Sequence, residues 1–573
     1  MDKSQIIHIL NEIATLLELQ GESGFRANAY RNGARALELV HEDLAGLIAT
    51  KKLHDLPGIG ESLAEKIGTL VSTGSLPIHE ELRAKTPPGL FELLRLPGMG
   101  PKKVKLLYDQ LEIDSLAKLK KACETGQVAE LKGFGEKTQQ KLLEGLEFID
   151  KTGKRFLLSE ALELAEELKA MFVNHPAVKR FELCGSLRRR KETVADLDLL
   201  TSATQVDAVM DTFVQWGRVA KVLARGETKS SVLLHSGMQV DLRVVPDEAF
   251  PFALHYFTGC KEHNIQMRQR AIDQGLKLNE YGLVGAKKSV ACKDETELFA
   301  ALGLDYIPPE LREGTGEIEA AQQHKLPHLI TYGDLKGTFH NHTTASDGSS
   351  TLAEMAEAAR ALGLHYLGIG DHSQSLKVAQ GLSPARVRAQ WKEIDALNKR
   401  WTDFRILKGT ECDIMPDGSL DFDDDLLTEF DYVVASVHTN FGMGQAEMTK
   451  RIIRAVQNPY VTMLGHATGR LLLRRDAYKV DVDAVIQAAA DVGTIIEINA
   501  QPLRLDLDWL HCKQAKDLGV RFAINPDAHH TSELAYLKYG IDVARRAWLT
   551  KDDVINTLSL PEILRLLESR KKR

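Results

Sequence analysis

The hydrophobic pattern of the chain changes character twice. Over residues 1–150, apolar positions recur at three- and four-residue spacing and are broken by short glycine-rich turns, which predicts a set of short helices. Around residue 180 the pattern becomes short apolar strands, among them Arg180–Cys184, Val194–Leu200 and the alternating Gln239–Val244. From residue 336 one design repeats: a short apolar run ends in His, Asp or Glu, and a helical stretch follows. The intervals from His342 to His372, Glu411, His438, His466, Glu497 and Asp527 are 30, 39, 27, 28, 31 and 30 residues. That is the length of one strand–helix unit. Seven such units, with polar residues at the C-terminal strand ends, predict a parallel α/β barrel of (β/α)7 type with one active mouth. Residues 316–335 are polar, show no sustained period and are expected to be a linker. A multidomain protein follows, with helical segments at 1–85 and 86–150, an α+β region at 151–255, a further subdomain at 256–315, the linker, and the barrel at 336–573.

At 573 residues, 43% hydrophobic and 27% charged, the chain has room for about four domains of ~150 residues, and its composition excludes a disordered or fibrous protein. No run approaches the ~18 apolar residues of a membrane span. The amphipathic start, MDKSQIIHILNEIATLLELQ, lacks the cleavage site of a secretion signal. Six scattered cysteines with no CxxC spacing give neither a disulfide framework nor a thiolate zinc site. A cytoplasmic monomer without a membrane partner is expected. Net charge is −7, and residues 334–573 hold 30 Lys and Arg against 33 Asp and Glu, the remainder 43 against 47. Neither part binds nucleic acid by bulk charge, so local features must do so if it binds at all.

One such feature is a repeated turn. Leu56-Pro57-Gly58-Ile59-Gly60, Leu96-Pro97-Gly98-Met99-Gly100 and the looser Leu131-Lys132-Gly133-Phe134-Gly135 each precede a helical segment. Lysines follow closely: Lys66, then Lys102, Lys103 and Lys105, then Lys137 and Lys141. Glycine permits the tight turn, and the helix start offers free N–H groups and a positive dipole end to a phosphate. A single copy is an ordinary helix connection. Three copies, each followed by lysine, point to binding of a DNA backbone, and they look like helix-hairpin-helix motifs. Lys66, near the first of them, could form a Schiff base with an abasic-site aldehyde if its pKa is depressed; the alternative is a solvated lysine on a helix face.

Asp196 and Asp198, two apart in a strand-like run, project from the same face. Asp241 lies in another strand, where it shares a face with Gln239 and Arg243. Clustered carboxylates repel one another unless cations lie between them. Three of them on neighbouring strands can hold two Mg²⁺ or Mn²⁺ ions roughly 3.5–4 Å apart for in-line phosphoryl transfer. Gly185-Ser186 opens a strand-to-helix turn whose N–H groups and hydroxyl suit phosphate oxygens, with Arg189 adding charge.

In the C-terminal part, His340, His342, Asp347, His372, Glu411, His438, His466, Asp527 and His529 can converge at the strand ends. A lone strand-end histidine is usually structural, but six at equivalent positions with interleaved acids are not independent. Mixed imidazole and carboxylate donors suit Mn²⁺, Zn²⁺ or Fe, and nine ligands suggest two or three ions set up for phosphoester hydrolysis.

Cys184-Gly185-Ser186-Leu187-Arg188-Arg189 with Asp196, Asp198 and Asp241, then Tyr256-Phe257-Thr258-Gly259 with Asn264 and Arg268, resembles family X DNA polymerase in order and spacing. The likeness implies that Asp196, Asp198 and Asp241 hold the metals, and that Arg155, Gly185, Ser186 and Arg189 bind the triphosphate. Tyr256, Phe257 and Gly259 then line the sugar pocket, Asn264 touches the incoming base, and Arg268 approaches the template. It places residues 151–255 as the palm, 256–315 as the thumb, and Lys66 as a deoxyribose-phosphate lyase nucleophile. Lys261, Arg26 and Ser62 depart from the family pattern; the last two replace lysines of the 5′-phosphate pocket. The C-terminal part is similar to the PHP family in its HxH opening, Ser-Asp-Gly, Asp371-His372 and closing Asp-Ala-His, with Asp371 expected to orient His372. Together the two likenesses imply an enzyme of base excision repair that takes gapped or nicked double-stranded DNA and deoxynucleoside triphosphates and fills short gaps, with 3′–5′ exonuclease and abasic-site endonuclease activity. The rival readings are a PHP-type small-molecule phosphatase fused to a non-catalytic DNA-binding module, and a non-catalytic DNA-binding scaffold.

Overall fold

A computed structural model describes residues 3–571 except 23, 40–43, 51, 57, 88, 95, 97, 154 and 286–288. Pro57 and Pro97 of the first two glycine turns therefore lie outside the described residues. The chain divides into two compact units, residues 1–152 and 153–573. No described helix is long and apolar enough to cross a membrane.

The first unit is helical, as its periodicity requires. Ile6, Leu10, Ile13 and Leu17 line the buried stripe of the helix Lys3–Leu19 and meet Leu37, Ile67, Leu70 and Leu82 in one core. A second core gathers Leu93, Val104, Leu107, Leu119 and Leu142 from the helices Gly89–Leu94, Pro101–Leu111, Leu116–Glu124 and Glu136–Thr152.

The second unit opens with a five-stranded sheet in the order Val178–Leu183, Asp196–Ala203, Gln239–Val245, Lys229–Leu234, Val219–Arg225. The second and third strands run parallel, with Asp198 opposite Asp241 and Asp196 opposite Gln239. Alternation buries Leu197, Leu199, Val240 and Leu242 beneath them, against Leu168 and Phe172 of the helix Leu158–Val173. The helices Phe250–Thr258, Lys261–Asp273 and Glu295–Ala301 then close over a core of Phe252, Met267, Leu298 and Phe299.

Residues 316–335, expected to be a linker, are a packed part of the fold. Glu317 heads the helix Glu317–Gln322, is fully buried, and bonds His263 Nδ1 at 2.9 Å and the Gly314 and Thr315 N–H groups at 2.9 and 2.7 Å. Ile330 N–H donates to the Leu549 carbonyl at 3.0 Å. A buried acid satisfied by a histidine and its own turn leaves no periodic trace in the sequence.

The strands of the C-terminal part all pair in parallel. Gly337–Asn341, Tyr366–Ile369 and Arg405–Leu407 form one sheet; Gly409–Asp413, Tyr432–Ser436, Met463–Leu464, Ile495–Asn499 and Phe522–Asn525 form another. Lys408 alone separates the two runs at that point, and a parallel bridge joins His372 to Glu411. At the other side His342 N–H donates to the Ala528 carbonyl at 2.8 Å, so the last strand lies beside the first. The strands are buried on both faces, as helix-covered parallel sheets are. One apolar cluster runs from Phe172 and Val240 of the five-stranded sheet to Ile406, Val433, Ile496 and Phe522.

Candidate functional site

In the first unit, Gly58, Gly98, Gly133 and Gly135 take positive φ of 93°, 75°, 97° and 80°, a region that disfavours other residues. Gly60 and Gly100 precede the helices Glu61–Thr73 and Pro101–Leu111 and give them no side-chain cap, which leaves first-turn N–H groups for an anion, although Pro101 itself offers none. Lys102 is exposed. Lys103 instead donates to the Gly98 carbonyl at 3.0 Å and lies 5.8 Å from the Phe134 ring, bracing the second turn against the third. Lys66 Nζ donates to Ser62 Oγ at 2.7 Å and sits 5.8 Å from the Tyr30 ring; Arg26 pairs with Glu22 at 3.4 Å.

The register of the five-stranded sheet brings Asp196, Asp198 and Asp241 together. Burial, then Asp196 and Asp241, raise Asp198 to about 6; burial and Asp241 also raise Asp196. Burial acts on Asp241 too, but hydrogen bonds from Lys229, Ser231 and Gln239 outweigh it and hold that carboxyl below its usual range. Lys229 Nζ lies 2.6 Å from Asp241 Oδ2, and Gln239 Nε2 donates to Oδ1 at 3.0 Å. Three hard, mutually repelling oxygen donors fit Mg²⁺ or Mn²⁺.

Gly185 has φ 63°, and a Cβ there would stand 2.4 Å from Asp198 Oδ2. Glycine thus lets the aspartate lie against the turn that carries Ser186. Arg155 is held by Thr193, its Nε and Nη2 donating to Oγ1 and O at 2.9 and 2.6 Å. Arg189 is buried; Nε donates to Glu313 at 3.0 Å and Nη1 to the Thr258 carbonyl. Gly259, φ 69°, lies close enough that a Cβ would meet Arg189 Nη1 at 3.1 Å. The Tyr256 and Phe257 rings meet edge-on at 5.1 Å, with Arg243 4.4 Å over Phe257. Asn264 Nδ2 donates to the Tyr256 carbonyl at 2.8 Å while its Oδ1 is buried and unbonded. Arg268 and Lys261 are exposed on the helix Lys261–Asp273.

All nine side chains expected at the C-terminal strand ends converge, with Glu411 at the hub. Its Oε1 lies 2.8 Å from His466 Nε2 and 3.2 Å from both His340 Nε2 and His438 Nε2; its Oε2 lies 2.9 Å from His372 Nδ1 and 3.8 Å from His342 Nε2. Asp347 reaches His342, His372 and His529 at 3.7, 3.4 and 3.5 Å, and Asp527 reaches His342 at 3.2 Å. Three groups of ligand atoms, each within 4.8 Å, overlap through His342 and His372: His342–Asp347–His372–His529, His340–His342–Asp527 and His372–Glu411–His438. Nε2 of His340, both ring nitrogens of His342 and Nδ1 of His372 and His466 are buried without a hydrogen bond. Buried ring nitrogens left unbonded beside carboxylates fit metal coordination. Burial and the neighbouring His529 and His372 push His342 down to about 3; Glu411, outweighing burial, lifts His372 to about 10 and His438 to about 9.

Several partners escaped sequence reasoning. Glu497 was legible as a strand-end acid but does more than end a strand: it meets His340 Nδ1 at 2.6 Å. Asp413, two residues beyond Glu411, meets His438 Nδ1 at 2.8 Å. Arg504 lies 3.3 Å from Asp527. Asp371 does not orient His372; it accepts from Thr343 N and Oγ1, Ser346 Oγ and Gln390 Nε2 at 2.8, 2.7, 2.5 and 2.5 Å, fastening the loop that carries Asp347. Adjacency in sequence suggested the first role, but the peptide geometry of a strand end points neighbours apart.

Family models place these observations. Residues 1–76 match a helix-hairpin-helix domain, 91–147 a SAM-like helix-hairpin-helix tandem, 253–313 the DNA polymerase beta thumb and 338–501 the PHP domain. A probable phosphatase of Thermoanaerobacter sp. (strain X514) is 30% identical over 41% of this chain and 95% of its own length. DNA polymerase lambda of Rattus norvegicus is 25% identical over 54% of this chain and 56% of its own. The DNA polymerase/3′-5′ exonuclease PolX of Bacillus subtilis is 40% identical over 567 residues, 98% of this chain and 99% of that protein. With helix-hairpin-helix turns, aspartate-bearing sheet, thumb and histidine centre in the same order along nearly the whole length, the chain belongs to the PolX family, the family X DNA polymerases with a C-terminal PHP domain.

Proposed function

We propose that this polymerase fills short gaps in base excision repair and that its PHP domain hydrolyses phosphodiesters both at 3′-ends and at abasic sites. What carries the reading is the presence, in one compact unit, of two donor sets of different chemistry: oxygen-only at Asp196, Asp198 and Asp241, imidazole-rich around Glu411. The 3′–5′ exonuclease named in the Bacillus relative supports the second activity.

In this reading the three aspartates hold Mg²⁺ or Mn²⁺ while Arg155, Ser186 and Arg189 take the triphosphate oxygens. Tyr256, Phe257 and Gly259 receive the sugar, Asn264 the base and Arg268 the template. Glycine turns and Lys102 hold the backbone of a gapped or nicked duplex. The nine PHP side chains hold two or three ions of Mn²⁺, Zn²⁺ or Fe. Bound divalent ions supply charge to the reacting phosphate and activate the nucleophile at both centres. Glu497 and Asp413 hold the Nδ1 sides of His340 and His438, which turns their Nε2 atoms toward Glu411.

Asp196→Ala with Asp198→Ala should abolish primer extension and leave nuclease activity intact, and His340→Ala with His342→Ala should do the reverse; extension surviving in the aspartate variant overturns the polymerase assignment. We further propose Lys66 as the abasic-site lyase nucleophile, supported by its place beside Tyr30 and the first glycine turn. Borohydride should trap the wild type on abasic DNA and fail with Lys66→Ala; trapping that persists removes Lys66.

A further inference from the structure

The turn expected to hold the triphosphate is gripped from the PHP domain. Residues 188–192 read Arg-Arg-Arg-Lys-Glu, and four of the five are paired across to the C-terminal part or share its partners. Arg190 Nε lies 3.6 Å from Asp542, Glu192 accepts from Arg470 at 3.0 Å, and Arg189 donates to Glu313 at 3.0 Å. Glu313 is shared. Arg546, at the end of the helix Leu537–Arg546, reaches the same Oε1 at 3.4 Å, and Lys191 lies 3.9 Å from Oε2.

Arg546 is 2% exposed, stacks 4.7 Å over Trp509 and leaves its Nε without a partner. As structural glue this is a poor arrangement, because a buried cation with one shared carboxylate is not repaid for its lost hydration. Its electrostatic effect is clear. Glu192 lies near Arg546 and Glu262 near Arg189, but Glu313 is the carboxylate that both arginines touch, so Arg189 has only part of its buried partner. Without Arg546, Glu313 would belong more fully to Arg189 and blunt the charge that Arg189 offers to phosphate.

We propose that Arg546 is a positioning residue for the polymerase: it draws on Glu313 from the PHP side, so that Arg189 stays available to the triphosphate of the incoming nucleotide. This rests on the assignment of Arg189 to the triphosphate. Single-nucleotide extension by the full chain tests it, with KM for the deoxynucleotide and kcat measured for Arg546→Met, Arg546→Lys, Glu313→Gln, the double variant Arg546→Met/Glu313→Gln, and Arg189→Ala.

Arg546→Met should raise KM about 5- to 20-fold, the scale of a coupling between contacting charges, with kcat and 3′–5′ exonuclease nearly unchanged. Arg546→Lys should restore most of the loss. Glu313→Gln should hold KM at or below the wild-type value, and in its background Arg546→Met should change little. An unaltered KM in Arg546→Met overturns the proposal, as does an effect that adds in full to that of Glu313→Gln, or a parallel fall of KM performance, kcat and nuclease. If Arg546→Met does not fold, a raised KM in Glu313→Gln overturns it equally. A wild-type KM in Arg189→Ala would instead sink the underlying assignment of Arg189, and the proposal with it.

Discussion

Glu497 shows how much a single buried carboxylate can decide. It is fully buried and accepts from His466 N at 2.7 Å and from the amides of Asn525 and Asn499 at 2.8 and 3.2 Å, besides its 2.6 Å contact with His340 Nδ1. A carboxylate can only accept, so His340 presents Nδ1–H to Glu497 and keeps Nε2 as the nitrogen available to a metal. Glu497→Gln removes the charge that fixes this choice. Metal content and exonuclease rate should each fall about 10- to 100-fold, the usual effect of losing such a support, while primer extension on the same preparation stays at the wild-type rate. A variant that keeps full metal and full exonuclease would show that Glu497 serves only the fold. The strand pattern announced an acid at 497, but nothing in a period of two says whether it faces an ion or a histidine.

At the level of elements, legibility follows periodicity. The parallel strands of the C-terminal half, the short Arg405–Leu407 apart, could be read because a donor stands at or just past the end of each, and Asp198 with Asp241 because alternation fixes a face. The helix Glu317–Gln322 could not, since its anchor is an acid satisfied by a distant histidine. The helix Glu295–Ala301 is a similar case. Asp294 caps it through the Glu297 N–H at 2.9 Å, and Glu295, buried at its first position, takes Arg312 at 2.5 Å and Arg188 at 2.6 Å. Burial opposes ionisation, but Arg312 and then Arg188 outweigh it and hold Glu295 far below the usual carboxylate range. Arg312 is fully buried, so Glu295→Gln strands a cation and should cost about 3–5 kcal/mol at pH 7. Because the folded-state pKa is depressed, the wild-type advantage is complete above the unfolded value of 4.5, shrinks steadily as pH falls below it, and is gone only below the folded-state value. Denaturant melts of both proteins should therefore differ in full at pH 7 and by a smaller gap at pH 3. An equal gap at both values would rule out ionisation as the source.

The whole molecule is two units, and the second is larger than any domain the sequence suggested. Its apolar cluster passes from the polymerase sheet into the PHP strands without a break, and the polar stretch 316–335 is fastened by Glu317 and by Ile330 bonded to Leu549. Composition could not reveal this, because a shared core is assembled from residues far apart in the chain. Both centres are therefore built on one body, and a 3′-end that visits both must itself move. Domain boundaries fall where few contacts cross, which here is between residues 152 and 153. Limited proteolysis should release a stable fragment beginning near residue 153 and running to the C-terminal region, with residues 316–335 protected although they are the most linker-like stretch in the sequence. Intact masses of the limit fragments decide it. Early cleavage inside 316–335, giving separate polymerase and PHP pieces, would mean that the common core does not hold in solution. It would also remove the rigid support from which Arg546 reaches Glu313.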